Sequence, residues 1–132
     1  MAEDRFSLRI PASAAHVVTA RIFAAAVARQ AGMSEGSVDD VKLAISEACA
    51  AGVRDEEEGT LGVLVERQGD HLEFEIVGED IPPPPADDLV ATPESFRRSV
   101  GYDVIRSIFP EASILSGDDR SGRIRFKVPI ER

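Results

Sequence analysis

The 132-residue chain has no tryptophan, one tyrosine and one cysteine, Cys49, and each scarcity removes a class of protein. A single cysteine cannot form an internal disulfide, and His16 and His71, the two histidines, stand alone without metal-ligand spacing. Cys49 falls on the apolar side of a helical stretch and reads as a small buried residue, not a reactive thiol. No apolar run approaches the roughly 18 residues that a membrane span requires. The opening Met1-Ala2-Glu3-Asp4-Arg5 is charged where a secretion signal would be apolar, so a cytosolic protein is expected. Basic residues are few: 15 Lys+Arg face 24 Asp+Glu, a net charge of −9. That balance repels phosphate backbones and anionic lipid, which counts against direct nucleic-acid or membrane binding. With aromatics at 5%, Val, Ile, Leu and Ala must build the core. No repeat and no long linker divides the chain, so residues 1–132 are expected to form one domain.

What is present is strong periodicity. Arg5-Phe6-Ser7-Leu8-Arg9-Ile10 alternates with the period of a half-buried strand, and Pro11 ends it. Ser13 is placed to cap a helix from Ala14 to about Ala31. Its apolar face is read as Val17, Ala20, Ala24, Val27 and Ala28, with Ile22 and Phe23 alongside, and Gly32 stops it. Ser37-Val38-Asp39-Asp40 supplies a cap and acids for a second helix. That helix turns Val38, Val41, Ile45, Ala48, Cys49 and Val53 inward and runs out in the acidic turn Asp55-Glu56-Glu57-Glu58-Gly59.

Leu61, Val63 and Val65, then Leu72, Phe74 and Ile76, alternate on either side of Gly69-Asp70, a hairpin pattern. Pro82-Pro83-Pro84-Pro85 forces an extended loop. Asp87 to Arg98 reads as surface, with a short capped turn at Thr92-Pro93-Glu94. A third helix is expected over Val100–Phe109, closed by Pro110, followed by strands at Ala112–Leu115 and Arg123–Ile130 joined through Gly117–Gly122. Hairpin-paired strands with helices between the pairs imply an α+β fold. The architecture is a two-layer α/β sandwich whose mixed, mostly antiparallel sheet is covered on one face by helices.

That order and several strings resemble the histidine kinase-like (GHKL, or Bergerat) ATPase domain, and within it the short bacterial serine kinases that act as anti-sigma factors. The likeness spans nearly the whole chain. It begins at Phe6-Ser7-Leu8-Arg9-Ile10-Pro11-Ala12 and Ala20-Arg21 and is strongest at Val41-Lys42-Leu43-Ala44-Ile45-Ser46-Glu47-Ala48-Cys49-Ala50-Ala51. It continues through Gly101-Tyr102-Asp103-Val104-Ile105-Arg106 to Gly122-Arg123-Ile124-Arg125-Phe126.

The resemblance implies three chemical boxes, and the chain departs from each, as a degenerate member would. In the first, a helical Glu activates the attacking hydroxyl and an Asn four residues on holds the Mg²⁺ that bridges the phosphates. Glu47 occupies the Glu position and Ala51 the Asn position. Spacing of four puts both on one stripe with Leu43, but a methyl offers Mg²⁺ no oxygen. In the second, Asp-x-Gly-x-Gly reads the adenine; here Gly78-Glu79-Asp80-Ile81-Pro82 stands there, with Asp80 or Glu79 reaching the base only after a shift in register. In the third, a Gly-x-Gly ahead of a helix cradles phosphate with its amides. Ser99-Val100-Gly101 keeps one glycine of the two.

Glu47 is therefore a candidate general base or a vestige of one. Glu47, Asp80 and Gly101 are the candidate nucleotide contacts should ATP and Mg²⁺ still bind, although no cofactor is expected and no metal ligand is assigned. Arg21 falls where the resembling family places a partner-contacting arginine, against the plain alternative of a solvated helix arginine; Arg97-Arg98 is either a partner patch or a solvated loop. The resemblance implies a regulator of transcription that binds a sigma factor or an anti-anti-sigma (STAS-type) protein with little or no use of ATP. The alternative is an active serine kinase that phosphorylates the anti-sigma antagonist. Pairing as a homodimer, or as a heterodimer with a related kinase, also follows from the resemblance.

Overall fold

The computed structural model describes residues 4–53, 59–78, 93–116 and 122–130, with backbone alone at 93–99 and 115–116. Asp80, the proline run, the acidic run at 55–58 and the turn at 117–121 lie outside the described residues, as do the Arg97 and Arg98 side chains. The chain folds as β1 (Arg5–Pro11), a short 3-10 turn (Ala14–His16), α1 (Val17–Gln30), α2 (Glu35–Ala51), β2 (Thr60–Gln68) and β3 (His71–Gly78). It continues with α3 (Pro93–Ile108), β4 (Ser113–Ser116) and β5 (Gly122–Pro129).

The five strands form one sheet in the order β1-β2-β3-β5-β4, and every described pairing is antiparallel. This is the expected α+β sandwich, with the sheet wholly antiparallel in its contacts and not mixed. β5 lies between β3 and β4, so those two strands run parallel to each other with α3 as their crossover. Gly69, at φ +61°, makes the β2–β3 turn; this left-handed backbone suits glycine because it has no Cβ to clash.

Alternation along each strand decides which face is dry. Leu61, Val63 and Val65 of β2 are buried, as are Leu72, Phe74 and Ile76 of β3 and Ile124, Phe126 and Val128 of β5. Against them lie the alanines of α1, the Val38–Cys49 face of α2, and Tyr102 and Ile105 of α3. Phe126 is the aromatic pivot: its ring stacks on Phe74 at 5.2 Å and on Phe109 at 4.7 Å. No described charged or polar residue is buried.

The opposite face carries an ionic ladder. Arg5 bridges Glu66 at 2.7 Å, Arg125 bridges Glu75 at 2.7 Å and Glu73 at 3.2 Å, Arg123 reaches Glu75 at 3.7 Å and Lys127 reaches Glu73 at 3.9 Å. The hydrogen bonds that Arg125 donates to Glu75, reinforced by the charge of that carboxylate, raise the Arg125 pKa further.

Several boundaries differ from the sequence expectation. Ser13 makes no side-chain cap; its hydroxyl sits 2.8 Å from His16 Nδ1, and α1 begins at Val17. The α2 cap is Ser34, not Ser37: Ser34 has extended backbone and its Oγ accepts the Ser37 N–H at 3.2 Å. Arg29 reaches across the intervening turn with two 3.1 Å bonds to Glu35, which holds that carboxyl below its usual range. α2 ends at Ala51, so Val53 lies past the helix and is half-buried. Ile22, expected beside the core, is 64% exposed. It stands two residues from both Ala20 and Ala24, about 200° around the helix from that stripe.

α3 shows the largest difference. It starts at Pro93, seven residues before the expected Val100. A proline at a first helical position has its φ already set and loses no hydrogen bond, so Pro93 opens a helix where a short turn was expected.

Candidate functional site

The stripe Leu43–Glu47–Ala51 runs along α2 from solvent to core. Leu43 is exposed, Glu47 half-buried, and Ala51 8% exposed. Glu47 makes no hydrogen bond or ion pair among the described residues. Its carboxylate is roofed by α3: a Cβ built on Gly101 would stand 3.6 Å from Glu47 Oε2, an ordinary contact, and Gly101 itself is buried. The structure thus brings Glu47 and Gly101 together, with the methyl of Ala51 one turn further along.

The geometry around Gly101 differs from the phosphate cradle that the family's third box forms. Residues 99–101 lie inside α3, so their amides close intrahelical bonds and are not the free N–H groups of a helix start. At the end of β3, Gly78 is buried on the inner face and pairs with Leu61 and Gly122. It presents no carboxylate to a base. Asp80 is outside the described residues.

Arg21 is half-buried on α1 and has no hydrogen bond or ion pair among the described residues. Val18, 43% exposed, and Ile22, 64% exposed, flank it on the same helix surface. The sequence pattern did not single out Val18 and set Ile22 beside the core, because Ala-rich α1 has apolar residues on nearly every side. The detectable signal was their offset from the Ala20–Ala24–Val27–Ala28 stripe.

Cys49 and the two histidines differ in burial. Desolvation pushes the buried Cys49 thiol up to about 12, leaving it protonated and unreactive near neutral pH. His16 and His71 are exposed, and no metal-binding group of three or more His, Cys, Asp or Glu occurs among the described residues. A cleft of about 150 Å³ involves Asp4, Phe6, Gln30 and Arg67 at the far end of the α1–α2 pair, away from Glu47. No described helix is long and apolar enough to cross a membrane.

The described residues thus form an antiparallel sheet backed by three helices, with a helical glutamate under the third. The family model described as the histidine kinase-like ATPase domain matches residues 10–127, and the chain belongs to that family. Among curated proteins it is similar to the serine-protein kinase RsbW of Bacillus velezensis (strain DSM 23117 / BGSC 10A6 / LMG 26770 / FZB42). That match is 30% identical over 95 residues, covering 61% of this chain and 59% of the relative. It is likewise similar to the serine-protein kinase RsbW of Bacillus cereus (strain AH187), 30% identical over 81 residues, covering 59% of this chain and 51% of the relative. The chain thus spans between half and three-fifths of the relatives it matches.

Proposed function

We propose that this chain is a cytoplasmic regulator that controls transcription by binding a sigma factor or an anti-anti-sigma protein, with little or no use of ATP. Its similarity to serine-protein kinases named RsbW supports the partner class. The observation that carries the nucleotide-independent part is Ala51. Where the family resemblance calls for an Mg²⁺-holding amide, a buried methyl stands one helical turn beyond Glu47. Without the cation, a triphosphate would lie beside the Glu47 carboxylate in a protein of net charge −9, with little to offset the repulsion. The helical state of residues 99–101 supports the same reading.

On this reading Arg21, between Val18 and Ile22, belongs to the partner surface; a guanidinium with no partner among the described residues, flanked by exposed aliphatics, is the composition of an interface anchor. Pairing with a second copy or with a related kinase is compatible with it.

Titration calorimetry with Mg²⁺-ATP tests the proposal, with Glu47→Ala alongside. No heat of binding is expected in either. Micromolar binding by the native chain that disappears in Glu47→Ala would favour the second reading, a working serine kinase. The observation in its favour is Glu47 itself, half-buried and free of any described partner where a general base would stand. Affinity purification from the native cell then identifies the protein retained.

A further inference from the structure

The face of the sheet that no described helix covers differs in charge from the rest of the molecule. Arg5, Arg9, Arg123, Arg125 and Lys127 project there with Glu66, Glu73 and Glu75. Among the described residues, five cations against three carboxylates give this face a positive balance in a chain whose net charge is −9. All three carboxylates are already bridged. Arg9 has no hydrogen bond or ion pair among the described residues, and Arg123 has only its 3.7 Å approach to Glu75.

Between these two arginines the surface is apolar and low. The strand register sets Arg9 opposite Gly62, Gly62 opposite Val77, and Val77 opposite Arg123. Leu64, 42% exposed, is the next residue of β2 on the same face. Four adjacent strands separate the arginine Cα atoms by about 14 Å, and an α-helix with its side chains is about 10–12 Å across.

Gly62 is the telling residue. It sits within β2, where glycine weakens a strand, yet its φ is not positive and a Cβ there would meet only Leu64 Cδ1 at 3.9 Å and the Val77 carbonyl oxygen at 4.0 Å. Neither backbone conformation nor internal packing requires a glycine. A flat floor for something external accounts for it.

We propose that the Gly62–Leu64–Val77 floor, flanked by Arg9 and Arg123, is a second docking surface that receives an acidic amphipathic segment of a protein partner. The partner's apolar side lies on the floor and its carboxylates meet the two guanidinium groups. This surface is on the opposite layer from Arg21, and the inference stands whether or not the nucleotide-independent reading does. A second copy pairing through the same face would set arginine against arginine, with every carboxylate already engaged.

The probe is a fluorescein-labelled 14-residue peptide with Leu on one helical face and Glu elsewhere, added to the full ¹⁵N-labelled chain. Amide shifts are expected at Arg9, Gly62, Leu64, Val77 and Arg123 and not along α1. Arg9→Glu/Arg123→Glu should weaken binding at least about tenfold, the scale of close interfacial charge pairs. Leu64→Ser is a second variant that leaves the charges intact, and it should weaken binding in the same assay. Three results would each overturn the proposal: equal affinity for a scrambled, non-amphipathic peptide of the same composition; equal affinity for a single-stranded oligonucleotide; or shifts at these residues that depend on protein concentration alone.

Discussion

Ala51→Asn restores the amide that the family's first box requires, and its cost follows from where Ala51 sits. The side chain is 8% exposed on the last turn of α2. An amide there leaves water, and the side chain one turn back is the Glu47 carboxylate, which accepts but does not donate. A buried amide left partly unsatisfied costs about 1–3 kcal/mol. For a chain of this size each kcal/mol moves Tm by about 3–6 °C, so the variant should melt about 3–18 °C lower. Differential scanning calorimetry with and without Mg²⁺-ATP measures both halves of the reasoning. Ligand at a hundred times its Kd adds about 2.7 kcal/mol to a binding-competent fold, a rise on the order of 10 °C that is easily resolved. The native chain should show no such rise. A Mg²⁺-dependent increase of several degrees in the native chain refutes the claim that a methyl at 51 leaves the cation unheld. An unchanged Tm in Ala51→Asn refutes the claim that the position is desolvated.

Other outcomes follow from the same structure. Phe126→Ala removes the ring stacked between Phe74 and Phe109 and should cost about 3–5 kcal/mol in urea unfolding, with Phe109→Leu costing clearly less because Phe109 is only half-buried. Ile22→Asp with Arg21→Glu should leave Tm within about 2 °C, since Ile22 is 64% exposed, while weakening capture of a sigma factor or anti-anti-sigma protein by about 2–4 kcal/mol; unchanged affinity removes α1 from the partner surface. Cys49 titrates near 12 when folded and near about 8.5 when unfolded, so its neutral thiol adds no pH dependence below the unfolded value. As pH rises towards 12 the unfolded chain loses its proton first, and stability should fall by up to about 1.4 kcal/mol per unit. Cys49→Ala should flatten that part of the profile, and a native thiol that reacts with a disulfide reagent at pH 8 would contradict the burial.

The strands and their inner faces were legible from residue order because alternation is a local property: once Leu72, Phe74 and Ile76 share a face, the core side of β3 follows. Gly69-Asp70 and Gly32 were legible for a similar reason, each marking a turn through backbone that glycine adopts readily. The Glu47–Ala51 stripe needed only the helical repeat. Caps were less legible. Ser13, Ser34 and Ser37 are chemically alike, and only backbone conformation selects Ser34 as the residue whose oxygen meets a free amide. The start of α3 was hidden because proline reads equally well as a turn or as a first helical residue.

The sequence alone determined the strand–helix–helix–hairpin order, the acidic balance, the apolar core and the family to which the chain belongs, since all of these depend on residue identity and near-neighbour spacing. Tertiary structure decided what depends on distant segments meeting. It set β5 between β3 and β4, laid Gly101 over Glu47, left Val18 and Ile22 in solvent, and gathered cations from β1 and β5 onto one sheet face. Strand pairing across 50 or more residues, such as Glu75 with Arg125, arises from the closure of the whole sheet, which no local pattern encodes.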